Sequence, residues 1–163
     1  MPPSEADHGA KFLRRLRERH DIDLADAVRE FPTGATPTAT TAAEHLGCPQ
    51  RQIVTSIVCD VDGDVVLALV DGDSRVDTER LAAVHGGTHA TLAAPETVET
   101  ATGYPVGGVP PFAHDRQLPT YMDESLLEEP VVYPAAGTAA RMFAIAPAEL
   151  ARLAGATVVD LIE

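Results

Sequence analysis

The stretch of this chain best suited to chemistry is the sequence TGYPVGGVPPF, residues 102–112. Its three glycines allow positive φ and the close approach of a ligand, whereas its three prolines fix φ and carry no amide donor. So dense a mixture of glycine and proline does not fit the interior of a helix or of a central strand. It predicts a stiff, shaped loop with a few main-chain N–H groups free to hydrogen-bond a ligand, although an ordinary tight loop has the same pattern.

Other clusters of reactive residues do not complete a known kind of site. The acidic run from Asp60 to Asp64 lacks the glycine and the glutamate that an EF-hand calcium loop requires at its sixth and twelfth positions. His85 and His89 have the spacing of helical metal ligands, but two glycines lie between them. Cys48 and Cys59 have no further ligand pair at metal spacing. No serine–histidine–acid arrangement stands out, and we expect no metal and no cofactor.

The composition predicts one globular domain, residues 1–163, with an acidic surface. The chain is 45% hydrophobic, no apolar run approaches the roughly 18 residues of a membrane span, and the N-terminus lacks a signal-peptide apolar region. We therefore expect a cytoplasmic protein. The 25 acidic residues outnumber 12 basic ones, the net charge is −13, and Lys11 is the only lysine. An acidic, lysine-poor surface predicts a protein of a halophile, which works where salt screens self-repulsion.

Apolar periodicity and turn residues predict alternating helices and hairpins, hence an α+β fold with a mixed sheet. Residues 1–22 contain an amphipathic helix, Gly9–His20, packed on the domain, and its basic patch is either a phosphate-contacting surface or a solvated face. A loop is predicted at residues 32–37. Further helices are predicted from Thr40 or Thr41 to Leu46 (with a Thr41–Glu44 capping box), at Thr78–His85, Glu96–Ala101 and Pro147–Ala154, and strands at Ala27–Phe31, Ile53–Asp60, Val65–Val70, Thr88–Leu92, Pro119–Met122, Val131–Pro134, Met142–Ile145 and Thr157–Leu161.

The loop GYPVGGVPPF resembles the glycine loop of the YbaK/ProX family, the editing domains that deacylate mischarged transfer RNA. Gly107 and Pro111 match the G-x-x-x-P element of that family. The segments TAAEHLGCPQRQIVTSIV, VVLALVDGDSRVDTERLAA, LPTYMDESL, VVYPAAG and APAELARLAGATVVDLI follow in the order that the family has. The resemblance runs from about Thr40 to the C-terminus, and it implies a curved, partly barrel-like mixed sheet flanked by helices.

The resemblance also implies an aminoacyl-tRNA deacylase that removes a small amino acid, such as cysteine or alanine, from the tRNA for proline. Ester hydrolysis develops an oxyanion, and main-chain N–H groups held in advance by a rigid loop are suited to stabilise it. The implied partners are aminoacyl-tRNA and an aminoacyl-tRNA synthetase, with no DNA and no membrane; the oligomeric state stays open. The implied catalytic residues are Gly107, Gly108 and Thr55, and the implied substrate-binding residues are Phe31, Ser56, Gly103, Val109, Pro110, Pro111 and Gly137.

Two departures from the family pattern favour a second hypothesis, a binding module that keeps the pocket and has lost turnover. Family members have a lysine in the first core strand where this chain has Thr55, which offers a hydroxyl but no positive charge. The family turn with a hydroxyl and two charges is here the bare segment Ala135–Ala140, followed by Arg141. Such a module would bind aminoacyl-tRNA or a small amino-acid-like ligand.

Overall fold

The computed structural model describes residues 5–31 and 38–163, and the predicted loop at 32–37 lies outside them. The described residues form a mixed α+β fold, as predicted, and none of their helices has the length and hydropathy needed to cross a bilayer. The helices are α1 (Glu5–His20), α2 (Ala39–Leu46), α3 (Thr78–His85), α4 (Pro95–Thr102) and α5 (Pro147–Ala154), and the strands are β1 (Val28–Glu30), β2 (Val54–Val61), β3 (Asp64–Asp71), β4 (Ala90–Leu92), β5 (Thr120–Asp123), β6 (Arg141–Phe143) and β7 (Thr157–Val159).

The main sheet has five strands in the order β4-β2-β3-β5-β7. β2 and β3 form an antiparallel hairpin, β4 adds to β2 antiparallel, and β5 and β7 extend the other side in parallel. The predicted mixed sheet is therefore confirmed. Among the described residues β4 and β7 each pair on one side only, so the sheet does not close into a barrel. β1 and β6 form a separate antiparallel pair in which Val28 faces Phe143.

Two of the predictions differ from the structure: the residue that caps α2 and the strand at Val131–Pro134. The cap of α2 is Thr38, one turn earlier than predicted, because the Thr41 hydroxyl accepts the N–H of Thr38 at 2.8 Å while Thr38 Oγ1 accepts the N–H of Thr41. Glu44 takes no part in this capping box. The segment Val131–Pro134 is not a strand, because it makes only single bridges, through Val132 to Ile145 and through Tyr133 to Ile53.

The sheet separates two cores, and the alternation of side chains along β3 assigns residues to each. Leu67 and Leu69 belong to the larger core, which contains Phe12 and Leu16 of α1, the buried residues of the 103–115 loop and Leu150 of α5. Val66, Ala68 and Val70 face the smaller core with Leu81 of α3. The N-terminal helix and the Gly/Pro-rich loop therefore lie on one face of the sheet, and α3 lies on the other.

We predict that Phe12→Ala lowers the free energy of unfolding by about 3–5 kcal/mol, the usual effect of removing a large buried ring. Phe12 is fully buried, and its ring centroid lies 5.9 Å from that of Phe112 and 5.4 Å from that of Phe143. Urea unfolding measures the change, with Glu18→Ala on the exposed side of α1 as the control, expected within about 0.5 kcal/mol of the parent. A Phe12→Ala variant as stable as the control would show that α1 is not part of the cooperative fold.

Candidate functional site

The Gly/Pro loop, residues 103–115, closes on itself where it leaves α4. The N–H of Asp115 donates to the carbonyl of Thr102 at 2.9 Å, and the Thr102 hydroxyl accepts the N–H of Tyr104 at 3.1 Å. Tyr104 is fully buried and donates its hydroxyl to the carbonyl of Ala113 at 3.1 Å. Ala113 itself has φ 67°, an unusual value for a residue with a side chain. The two ends of the loop are therefore fixed to each other.

Helix α1 fixes the loop from the side. Lys11 donates to the carbonyl of Gly103 at 3.0 Å and lies 2.8 Å from the carboxylate of Asp115, and Arg15 donates to the carbonyl of Ala113 at 3.0 Å and to Asp115 at 2.5 Å. Burial acts to raise the pKa of Asp115, but the hydrogen bonds from Lys11 and Arg15 outweigh it and hold the pKa below its ordinary value. A charged Asp115 is thus part of the fixed base of the loop.

His114 is the histidine within the loop, and it stabilises the loop itself. Its Nε2 lies 2.7 Å from the carbonyl of Pro110, which only accepts, so Nε2 carries the proton. Arg19 donates to the carbonyl of His114 at 2.8 Å. Burial lowers the pKa of His114, and the charges of Arg15 and Arg19 lower it further, whereas the hydrogen bond that the ring donates to the Pro110 carbonyl acts to raise it. Because its ring is neutral and its Nε2–H is already bonded to Pro110, His114 stabilises the loop.

Three amide groups at the tip of the loop, those of Val106, Gly107 and Val109, have no acceptor among the described residues. Gly107 has φ 89°, a conformation that favours glycine. The N–H of Gly108 donates to the carbonyl of Pro105 at 3.0 Å, whereas the N–H groups of Gly107 and Val109 find no acceptor within residues 5–31 and 38–163. A Cβ on Gly108 would lie 2.8 Å from the Cα of Thr138, so glycine is required there by close packing. Of these three, Gly107 and Val109 line the cavity beside the tip and are the candidate donors, and Gly108 contributes the close approach.

A cavity of about 140 Å³ lies beside this tip. Its wall combines residues of the loop, of β2, of the start of α2 and of the 135–142 segment. None of the described lining residues is ionisable, and the segment 32–37, PTGATP, contains no ionisable side chain by sequence. The lining residues are Thr38, Ala39, Ile53, Val54, Thr55, Ser56, Gly107, Val109, Ala135, Ala139 and Met142.

Ser56, another residue of this wall, has a buried hydroxyl without a partner among the described residues. A buried hydroxyl without a partner is unfavourable, and native proteins leave few of them. A ligand in the cavity that offers a hydrogen-bonding group to Ser56 would satisfy it.

The structure brings together four of the predicted site residues and leaves the others off the cavity wall. Thr55, Ser56, Gly107 and Val109 line the cavity. Phe31 is buried instead in a small cluster formed with α2.

The remaining predicted residues support or surround the loop. Gly103 ends α4 in the left-handed region and packs against Asp115, and Gly137, with φ 97°, makes room for α1, because a Cβ there would lie 2.7 Å from the carbonyl oxygen of His8. Pro110 accepts the hydrogen bond from His114, and Pro111 lines a second cavity, of about 250 Å³, on the far side of the loop.

Sequence reasoning missed part of the wall. Thr38 and Ala39 were missed because α2 begins earlier than predicted. The three-residue spacing of Thr38 and Thr41, which form the capping box, could have indicated this earlier start. Ala135 and Ala139 were noted only as a turn without charges, although small residues are what leaves space there. Met142 gave no signal beyond a strand. Arg141, a candidate to replace the missing charge, pairs with Glu30 at 2.6 Å and does not line the cavity.

The described residues contain no group of three or more His, Cys, Asp or Glu side chains placed to hold a metal ion. His85 is instead bonded to Tyr121 at 2.7 Å and to Asp64 at 3.0 Å.

Comparison with known proteins gives a consistent result. The family model of the aminoacyl-tRNA editing domain matches residues 33–153. A crystal structure described as that of a candidate trans-editing enzyme for prolyl tRNA synthetase superimposes with a TM-score of 0.87 and 37% identity, over 96% of this chain and 97% of that one. An uncharacterised Bacillus subtilis protein, YwhH, is 34% identical over 76% of this chain and 78% of its own length. The Escherichia coli multifunctional Ser/Thr-tRNA deacylase ProXp-y is 34% identical over 53% of this chain, which spans about half, 54%, of that relative.

We predict that Ser56→Ala leaves the free energy of unfolding unchanged or raises it by about 1 kcal/mol, because it removes a buried hydroxyl that has no partner. Urea unfolding of the protein without ligand measures the change. The matched control is Ser125→Ala, whose hydroxyl donates to Asp123 and to Asp71, and whose loss should destabilise by about 1–3 kcal/mol. Equal destabilisation by the two variants would contradict an unpartnered Ser56.

Proposed function

Because this chain belongs to the aminoacyl-tRNA editing domain family, we propose that it acts in trans on a mischarged tRNA and hydrolyses the ester that joins a small amino acid, such as cysteine or alanine, to the tRNA for proline. One observation carries the proposal: one small cavity is lined by Gly107 and Val109, whose N–H groups have no acceptor among the described residues, and by Ser56, whose buried hydroxyl has no partner among them.

In this proposal the two amides bind the carbonyl oxygen of the ester. Attack on the carbonyl carbon places negative charge on that oxygen, and a donor already held in position stabilises the charge by about 2.7–4 kcal/mol in the transition state. The loop is held in advance, since Tyr104 and Asp115 close its base and α1 binds its carbonyls. The amides of Gly107 and Val109 then need no rearrangement when the charge appears.

The cavity wall fits a small side chain. Three of its residues are alanines, at positions 39, 135 and 139, and Val109 and Met142 add apolar surface. The aminoacylation site of a synthetase discriminates against a smaller apolar amino acid by a binding free energy of only about 1–3 kcal/mol. A second, hydrolytic site of limited volume therefore improves the fidelity of aminoacylation. Thr55 and Ser56 provide hydroxyls for the polar part of the substrate. The E. coli relative is named a Ser/Thr-tRNA deacylase, and seryl- and threonyl-tRNA therefore belong among the substrates tested.

The nucleophile is water, and its activation falls to the substrate. The described wall offers no ionisable side chain, so the proton goes to the substrate as the water oxygen attacks. Either the neutral α-amino group of the amino acid accepts it, or the neighbouring ribose hydroxyl accepts it while giving its own proton to the leaving ribose oxygen. The ester C–O bond then breaks, and the ribose oxygen leaves with a proton as a hydroxyl. The proposal places this reaction in the cytoplasm, with a prolyl-tRNA synthetase as the partner whose errors it removes.

One observation favours a second candidate function, a binding module without turnover. Thr55 lines the cavity at the position where the family has lysine, and no described lining residue replaces the missing charge. Such a module would bind charged tRNA or a small amino-acid-like ligand and release it unchanged.

We predict that Gly107→Ala lowers the single-turnover rate of deacylation by about 100-fold or more, the usual effect of losing one donor to an oxyanion. Gly107 has φ 89°, which alanine adopts only with strain, so the backbone must rotate and its N–H must turn. The rates are measured with alanyl-, cysteinyl-, seryl- and threonyl-tRNA in molar KCl, against a blank without protein.

The matched control for this variant is Gly63→Ala. Gly63 has φ 96° in the β2–β3 turn and open space around its Cβ position, so it carries the same backbone strain away from the cavity. Gly63→Ala should deacylate like the parent. If Gly107→Ala and the parent deacylate at equal rates, the loop amides do not stabilise the oxyanion. If the parent is no faster than the blank, the protein is not a deacylase and the binding module is the remaining candidate function.

Thr55→Lys separates the two candidate functions. If the parent is a binding module that lost its charge, the variant should gain deacylation that the parent lacks, because a charged donor binds a developing oxyanion more strongly than a hydroxyl does. If the parent is a deacylase, it should be active without the change, and the longer side chain should reduce its rate by filling the cavity. The same single-turnover assay decides between these results.

A further inference from the structure

The basic residues of this acidic chain are concentrated on one helix. Residues 11–20 of α1 hold five of the 12 basic residues and only one of the 25 acidic residues, Glu18. Lys11, Arg15 and Arg19 are used within the protein, since each donates to the Gly/Pro loop. The other two, Arg14 and Arg17, form what we call the cationic ridge.

The cationic ridge points away from the protein. Arg14 and Arg17 are exposed and stand three residues apart, on the side of α1 opposite the fully buried Phe12 and Leu16. Neither makes an ion pair or a side-chain hydrogen bond with any residue in the described ranges, and Glu18, one turn from Arg14, is not paired with it.

The ridge differs in this respect from most other arginines of the chain. Four arginines outside α1 are paired with a carboxylate, namely Arg51, Arg80, Arg141 and Arg152. Those without such a pair in the described part of the chain, Arg29, Arg75 and Arg116, stand apart from other basic residues in the sequence. Two adjacent free guanidinium groups in a chain of net charge −13 indicate an anionic partner of matching geometry.

We propose that the cationic ridge binds the phosphate backbone of the tRNA acceptor stem while the 3′ end of that stem reaches the cavity beside the loop. The inference rests on the proposed function for the identity of the nucleic acid. A planar guanidinium binds phosphate through two parallel hydrogen bonds, a direct contact that outlasts long-range attraction when salt is concentrated.

The position of the ridge relative to the site supports this partner. Lys11 and Arg15 lie on the neighbouring side of the same helix and hold the base of the loop, so a strand bound to the ridge keeps a fixed distance from the loop tip. The other end of α1 packs on the 135–142 segment, because the carbonyl of His8 lies against Gly137 and Gly9 lies against Arg141, and the same segment contributes Ala135, Ala139 and Met142 to the cavity wall. The helix thus joins a phosphate-binding surface rigidly to the cavity.

The test compares two double variants of equal net charge. Arg14→Gln/Arg17→Gln removes the ridge, and the control, Arg75→Gln/Arg80→Gln, removes the same charge from the start of α3 and the turn before it, where α3 covers the opposite face of the sheet. The dissociation constant of uncharged tRNA for proline is measured by fluorescence anisotropy over a series of KCl concentrations. We expect about tenfold weaker binding by the ridge variant than by the control, and a salt slope smaller by about 1.5, the loss of two phosphate contacts.

A second readout separates this inference from the proposed function. Hydrolysis is followed with mischarged tRNA and with the same amino acid on adenosine alone, which has no stem. The ridge variant should need about tenfold more protein for half-maximal rate on the tRNA and should match the parent on the adenosine ester. If its affinity and salt slope equal those of the control, the inference is overturned even when the parent deacylates. If the parent hydrolyses neither substrate, but the ridge variant binds tRNA more weakly than the control variant does, the proposed function fails and the inference stands.

Discussion

The Gly/Pro loop can offer free amides at its tip because the carbonyls at its base are bonded elsewhere. A backbone so rich in glycine and proline forms few hydrogen bonds within itself, and buried carbonyls without partners are unfavourable. The carbonyls of Gly103, Ala113 and His114 are satisfied by side chains of α1, and that of Ala113 also by Tyr104. The loop therefore keeps its shape through contacts at its base, and the amides of Gly107 and Val109 stay available.

This arrangement explains why an acidic chain keeps a basic helix. Lys11 and Arg15 bind one carboxylate, that of Asp115, and two carbonyls, those of Gly103 and Ala113, so they form a partly buried network and not a set of separate surface pairs. Pairs of this kind are less weakened by salt than exposed ones. The same helix buries Phe12 and Leu16 in the larger core, so the loop is tied to the hydrophobic core through α1.

A cavity lined without ionisable side chains has a particular consequence for catalysis. Its contribution must come from position, from oriented amide dipoles and from the limited volume between Ala39, Ala135 and Ala139. Under the proposed function, such a site excludes large side chains and leaves the proton transfers to groups that the substrate brings. The ring of His114 agrees with this proposal, because it is bonded to the Pro110 carbonyl and supports the loop.

The sequence by itself determined the features that depend on neighbouring residues. The bounds of α3 and α5 were predicted as observed, because Asp77 or Pro147 begins each helix and Gly86 or Gly155 ends it in the left-handed region. The shaped loop followed from its glycines and prolines, and the resemblance to the editing family supplied the region of the site.

Only the tertiary structure decided which groups of that region are free and which are used. Gly108, predicted as a donor, is bonded to Pro105, and Gly137 makes room for α1 rather than for a ligand. Val131–Pro134 has strand-like residues but finds only single bridges. The physical reason is that local rules set the backbone of a segment, whereas the partners of its amides and the walls of a cavity come from segments that are far apart in the chain.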